Sequence, residues 1–181
     1  MKFKKLIFFL LVIFLVGLLS NTDSWAITAY MKVEGEQGEI PGGTTIEGYE
    51  NWITVASFGH SINIPTDPQS GQPIGTREHG SLRIAKPLDK ASPLLYKALV
   101  RGERLPVVEI RFLRLSPEGQ MEHFYTIKLE DAIIISASPS LIPSDQDNLM
   151  MEIISFNYRR ITWTYVPEGI EEQDDWRAVP Q

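Results

Sequence analysis

The sequence predicts a mainly β protein, a small two-sheet β-barrel or sandwich with one short flanking α-helix at about residues 93–101. Three observations lead there. Apolar residues recur at every second position through most of the chain, the period of a half-buried strand. Clusters of Gly, Pro, Asp and Ser separate these runs. Only one segment carries the punctuation of a helix, so the alternation of helix and strand that builds a parallel sheet is missing.

Taken in order, AITAYMKV (26–33) is a first strand, and the glycines and carboxylates of the following EGEQGEIPGGTT are expected to end its ladder. WITVASFGHSINI (52–64) alternates Ile53, Val55 and Ser57 against Thr54, Ala56 and Phe58 and reads as one strand. PTDPQSGQPIG (65–75), with three prolines and two glycines, is an exposed loop or hairpin. SLRIAKPL (81–88) sets Leu82 and Ile84, with Leu88, against Arg83. A helix follows, with Ser92 as cap, Pro93 in the first position where no intrahelical bond is needed, and Gly102 closing it. Leu94, Leu95, Ala98 and Leu99 gather on one face. A helix of this length is marginal alone, so it must lie against the strands.

VVEIRFLRL (107–115) turns Val108, Ile110 and Phe112 one way and Glu109 and Arg111 the other. SPEG (116–119) is a tight turn, and HFYTIKLEDAIIISAS (123–138) returns as a partner strand with Tyr125, Ile127 and Leu129 on one face. MMEIISFNYRRITWTYV (150–166) shifts phase, because Ile154, Phe156 and Tyr158 share one parity and Ile161, Trp163 and Tyr165 the other. Either a bulge sits near Arg159-Arg160, or the strand passes from one packed layer to another.

The first 26 residues read as an export signal. Lys2, Lys4 and Lys5 precede an apolar run from Leu6 to Leu19, which ends in Ser24-Trp25-Ala26. That run is shorter than the roughly 20 residues a membrane-spanning helix needs, so no stable span is expected after cleavage. Residues 27–181 then form a single domain, large enough to bury roughly two thirds of its unfolded surface. Without cysteine it has no disulfide. Removing Lys2, Lys4, Lys5 and Asp23 takes 17 basic and 23 acidic residues to 14 and 22, a formal charge of -8. That balance disfavours nucleic acid and anionic membranes as partners.

Little in the sequence points to catalysis. His60, His79 and His123 are too scattered for a local metal-ligand spacing, so no metal or cofactor site is expected. Neither a G-x-S-x-G elbow nor a phosphate loop is present. Glu171-Glu172 and Asp174-Asp175 read as a solvated acidic tail. Arg77-Glu78-His79 has no placed nucleophile. Neighbours along a strand point to opposite faces, so these three read as an edge rather than an active site.

The order of GTREHGSLRIAKPLDKASPLLYKAL, GERLPVVEIRFLR, EGQMEHFYTIKLEDAIIIS and ISFNYRRITWTY, ending in DDW (174–176), resembles the haemolysin-coregulated protein (Hcp) family, the tube subunit of bacterial type VI secretion. AYMKVEGEQGE (29–39) is similar to that family's first strand and loop. The resemblance implies a non-enzymatic, ring-forming hexamer whose rings stack into a tube, meet sheath and spike components, and carry or chaperone small protein effectors in the lumen. It also implies that the stretch Pro65 to His79 extends from the barrel and helps rings or subunits meet. The assembly-interface candidates are therefore Pro65, Thr66, Asp67, Pro68, Arg77, Glu78, His79, Arg159 and Arg160. With a charge of -8 on each copy, like subunits need basic residues set against acidic ones, and Arg77, Arg83, Arg101, Arg104, Arg111, Arg114, Arg159 and Arg160 are available. The signal-like segment implies a secreted or periplasmic protein, with cytoplasmic assembly followed by type VI export as the alternative. An exported Hcp-like binding protein or effector that no longer builds the tube is the other functional expectation.

Overall fold

Alternating apolar positions are buried here by one long, bent antiparallel sheet against which the one α-helix of the described residues is laid. The computed structural model describes residues 27–116, 118–143 and 148–176, so the expected export signal at 1–26 lies outside the described residues. The strands are β1 (Ile27–Gly35), β2 (Gly38–Ile40), β3 (Ile53–Val55), β4 (Ser57–Gly59), β5 (Ile62–Asn63), β6 (Glu78–His79) and β7 (Leu82–Pro87). After helix α1 (Ser92–Arg101) come β8 (Arg104–Leu115), β9 (Met121–Ile142), β10 (Leu149–Asn157), β11 (Arg160–Tyr165) and β12 (Ile170–Asp175). Neighbours pair in the order β2-β1-β8-β9-β10-β7-β4, with β3 on β1, β11 on β9 and β12 on β11. β5 and β6 form a separate two-stranded hairpin.

The mainly β expectation with one helix is met, and the topology refines it. Instead of two packed sheets there is one sheet whose circuit returns from β4 to β1 through β3. The ladder does not close, because β3 and β4 are joined along the chain by Ala56, whose N–H bonds the Ala85 carbonyl at 2.8 Å. Residues 52–64 are therefore three short strands rather than one. The segment leaves β1 for β7 within a few residues, and no single ladder can follow it. The β1 ladder also outlasts its expected end. Glu34 pairs with Glu39 and Gly35 with Gly38 across a tight turn, so this glycine-rich stretch makes a hairpin.

β9 is the spine. Its first half pairs with β8 and β11 and its second with β10. At the junction Asp131 takes a left-handed φ of 52°, while Tyr158 and Arg159 interrupt the facing strands. The phase shift at residues 150–166 falls at the break between β10 and β11, which both pair with β9, so the chain bends within one sheet rather than passing to a second layer. Leu113, opposite in parity to Ile110, is buried on the other face of the sheet in a small cluster with Tyr30 and Trp52.

The core joins Met31, Val33, Ile53, Leu82, Ile84, Val108, Ile110, Leu129, Ile154, Phe156 and Ile161 with Leu95 and Ala98 of the helix. Leu94, expected on the buried face, is exposed. Gly102 closes α1 in the left-handed region at φ 61°, as expected. Ser92 does not cap it. Ala91 occupies that position with no side-chain bond, because the Ser92 hydroxyl is engaged inside the protein.

Candidate functional site

Two polar clusters stand out, and both arise where strand parity brings charged side chains together. The first is buried. Leu82, Ile84 and Lys86 share the inward face of β7, and Glu152 shares that of β10 with Ile154 and Phe156. Lys86 and Glu152 are directly paired across the ladder, and both are fully buried. Lys86 Nζ donates to Glu152 Oε1 (2.7 Å), the Pro87 carbonyl (2.7 Å), Asp89 Oδ1 (2.8 Å) and Ser92 Oγ (3.1 Å). Ser92 donates to the same Glu152 oxygen at 2.7 Å, and the Tyr96 hydroxyl donates to the other. Burial, then that bond to Glu152, push the Tyr96 phenol up to about 12. Asp89 Oδ2 also accepts from Gly43 N at 2.8 Å. One ion pair therefore ties β7, β10, the helix start and the loop after β2 into a single unit.

The second cluster braces the β5–β6 hairpin. At its far end the Asp67 carboxylate accepts from Gln69 N, Ser70 N and Ser70 Oγ, which together draw its pKa below the usual range, the Ser70 backbone bond most. Gly71 follows at φ 70°, a conformation that favours glycine. Thr66 bridges Pro73, and Ile62, Ile64 and Ile74 stay exposed. At its base Arg77 grips Asp174 in bidentate fashion, Nε to Oδ2 at 2.5 Å and an Nη to Oδ1 at 2.7 Å, and also reaches the Asp175 carbonyl. His79 Nε2 lies 2.8 Å from Asp174 Oδ2, and its Nδ1 lies 2.8 Å from the Tyr158 hydroxyl. That hydroxyl is 2.6 Å from His60 Nε2. Trp176 stacks on His79 and donates to the Tyr158 carbonyl at 2.5 Å.

Burial and the neighbouring His79 lower the His60 pKa, while a bond to the Gly80 backbone opposes them. Arg77 holds Asp174 below the usual carboxylate range. Burial raises the Tyr158 phenol well above its ordinary value.

The nine sequence candidates fall into three places. Arg77 and His79 converge on Asp174, while Glu78 between them is exposed and faces Asn63 in the ladder. Arg159 reaches Asp175 at 3.0 Å and Asp131 at 3.6 Å, and Arg160 reaches Glu130 at 3.2 Å. Pro65, Thr66, Asp67 and Pro68 build the outer part of the hairpin. The acidic residues 171–175 are corrected from a solvated tail to strand β12, because Thr164, Trp163 and Ile161 of β11 offer them a ladder. Of the eight arginines available for contacts between copies, Arg77, Arg111, Arg114, Arg159 and Arg160 are already paired within the subunit.

The buried Lys86–Glu152 pair and the roles of His60, Tyr158, Asp174 and Trp176 were not among the residues expected from sequence. The first was available from parity, since Lys86 follows Leu82 and Ile84 in steps of two. The second was not, because its residues come from four separated segments.

Among the described residues, no group of three or more His, Cys, Asp or Glu converges to hold a metal ion. None of the hydrogen bonds described for His60 or His79 comes from a serine or threonine hydroxyl. What this cluster does is hold a projecting hairpin onto the body. Fold and site together define a structural β protein with a braced protrusion.

Comparison with known proteins places that class. The family model described as "Type VI secretion system effector, Hcp" matches residues 30–165. The "Major exported protein" of Pseudomonas aeruginosa is 44% identical over 167 residues, covering 84% of this chain and 97% of that one. A crystal structure of an Hcp protein aligns with TM-score 0.77 at 38% identity, covering 82% of this chain and 99% of the other. The secreted protein Hcp3 of Pseudomonas aeruginosa aligns with TM-score 0.71 at 39% identity, covering 84% and 100%. The chain belongs to the Hcp family and is a tube subunit of type VI secretion.

Proposed function

We propose that the subunit closes into a hexameric ring, that rings stack through the β5–β6 hairpin, and that the resulting channel carries small protein effectors towards sheath and spike partners. The observation that carries this reading is the hairpin itself. It stands apart from the main sheet, exposes Ile62, Ile64 and Ile74, and is still braced at its base by a bidentate arginine–aspartate pair. A protrusion that is both apolar and positioned suits a contact with another copy. The subunit then acts by assembly rather than by catalysis, and Pro65, Thr66, Asp67 and Pro68 meet the neighbouring ring.

Light scattering tests this. A molar mass near six times the 20.5 kDa chain is expected, with larger stacks at high concentration. Replacing residues 65–74 by a two-residue turn should leave the ring mass unchanged and abolish the stacks. A monomer at every concentration, or stacks that survive the shortened hairpin, would overturn the proposal.

The apolar run Leu6 to Leu19 favours a second reading, in which residues 1–26 are a cleaved leader and 27–181 a single exported domain that reaches the periplasm or medium. The family relationship supports export, and the route is the open point. Mass spectrometry of the protein isolated from each compartment decides it, since an intact N-terminus in assembled protein would remove the leader.

A further inference from the structure

We propose that the chain His60–Tyr158–His79–Asp174 is a proton-operated latch, which holds the β5–β6 hairpin to the body near neutral pH and releases it in acid. Its consequence for stacking rests on the role proposed above for the hairpin; the latch itself is a property of one subunit.

The hairpin cannot position itself. Its strands are two residues each, they belong to no larger sheet, and its isoleucines are exposed. An isolated two-stranded hairpin is marginal in water, so the side chains at its base set its orientation. His60 precedes β5, His79 ends β6, and Tyr158 at the bend of the body stands between them.

Hydrogen counting shows which state of that base is complete. A carboxylate only accepts, so His79 Nε2, 2.8 Å from Asp174, carries a hydrogen. The Tyr158 hydroxyl carries one hydrogen and lies 2.6 Å from His60 Nε2 and 2.8 Å from His79 Nδ1, so it can donate to one ring while accepting from the other. Every contact is filled when one of those two nitrogens carries a hydrogen and the other is bare.

A second proton there breaks the chain. With hydrogens on both His60 Nε2 and His79 Nδ1, the Tyr158 hydroxyl faces donors on both sides and two imidazolium rings lie 6.2 Å apart. The surrounding charges do not absorb it. Arg77 and His79 share Asp174, Arg159 takes Asp175 and Asp131, Arg160 takes Glu130, and Glu78 is turned to solvent. Burial of His60 also opposes the second proton. Acid therefore opens the link between His60 and Tyr158, and with it one leg of the hairpin.

Hydrogen–deuterium exchange of the full chain, corrected for the intrinsic pH dependence of exchange and followed on peptides covering 60–80, tests the latch. Protection there should fall about tenfold from pH 7 to pH 5, the effect of one lost hydrogen bond. Peptides from β8 and β9 should keep theirs. Tyr158→Phe should show low hairpin protection at both pH values. His60→Gln keeps a polar partner that does not titrate and should remain protected at pH 5. Hairpin protection that is equal at pH 7 and pH 5 in the unaltered protein, or acid opening that persists in His60→Gln, would overturn the latch. Light scattering on the same samples separates the two proposals, because an absence of stacks at every pH removes the stacking role without changing the exchange profile.

Discussion

Replacing Lys86 by methionine probes one of the two fully buried charged side chains among the described residues. Its ammonium has no solvent exposure and makes four hydrogen bonds, two of them to the carboxylates of Glu152 and Asp89. Methionine fills a similar volume but leaves Glu152 ionised, fully buried, and supported only by the Ser92 and Tyr96 hydroxyls. Removing one partner of a buried pair costs about 3–5 kcal/mol, chiefly because the other charge is stranded. For a domain of this size each kcal/mol shifts Tm by about 2–4 °C, so a loss on the order of 10 °C is expected. Urea unfolding followed by far-ultraviolet circular dichroism reads the change in midpoint, with the slope held constant. The double variant Lys86→Met/Glu152→Leu removes both charges and should recover most of the loss. Destabilisation of Lys86→Met below about 1 kcal/mol, or a double variant no better than the single, would refute the stranded-charge reasoning.

Four further outcomes follow from the same structure. Gly42→Ala places a Cβ 2.3 Å from the Trp52 carbonyl oxygen, so the backbone must move and a loss of at least about 2 kcal/mol is expected by chemical denaturation. Leu95→Ala should cost about 2–5 kcal/mol because Leu95 anchors α1 in the core, whereas Val100→Ala on the exposed face should stay within about 0.5 kcal/mol. Asp174 has its pKa held below the ordinary 3.8 by Arg77 and His79, so its contribution is full above 3.8 and is lost as pH falls through the lower folded value. Asp174→Asn should therefore lower Tm at pH 7 and narrow the gap to the unaltered protein towards pH 2. Arg83, Arg101 and Arg104 are the arginines for which the described residues supply no ion pair, and reversing Arg101 to Glu should weaken self-association in light scattering at low salt, with the difference shrinking as salt rises.

Much of this molecule is legible from periodicity. The inward parity of Val108, Ile110, Ile127, Leu129, Ile154 and Phe156 can be read from the chain because pleating forces alternate side chains to opposite faces. The stop at Gly102 is legible for the same local reason, since a left-handed closing residue needs no partner beyond its own turn. The phase change between Tyr158 and Ile161 announces a bend, although not what bends around it. Even the buried lysine is marked by parity, since Lys86 follows Leu82 and Ile84 on the inward face of β7.

Where a segment switches partners, local pattern no longer decides. Residues 53–59 alternate as one strand would, and only the separation of β1 from β7 in space divides them. The acidic stretch 171–175 has nothing in its composition to mark it as a strand; it becomes one because β11 presents an unpaired edge and Arg77 and Arg159 neutralise its aspartates. Nor can sequence spacing join His60, His79, Tyr158 and Asp174, which lie up to 114 positions apart. The sequence by itself determined the strands, the helix and the inward faces, because those follow from backbone geometry over a few residues. The tertiary structure alone decided which charges meet, because hydrogen bonds and ion pairs act over a few ångströms of space, whatever length of chain lies between.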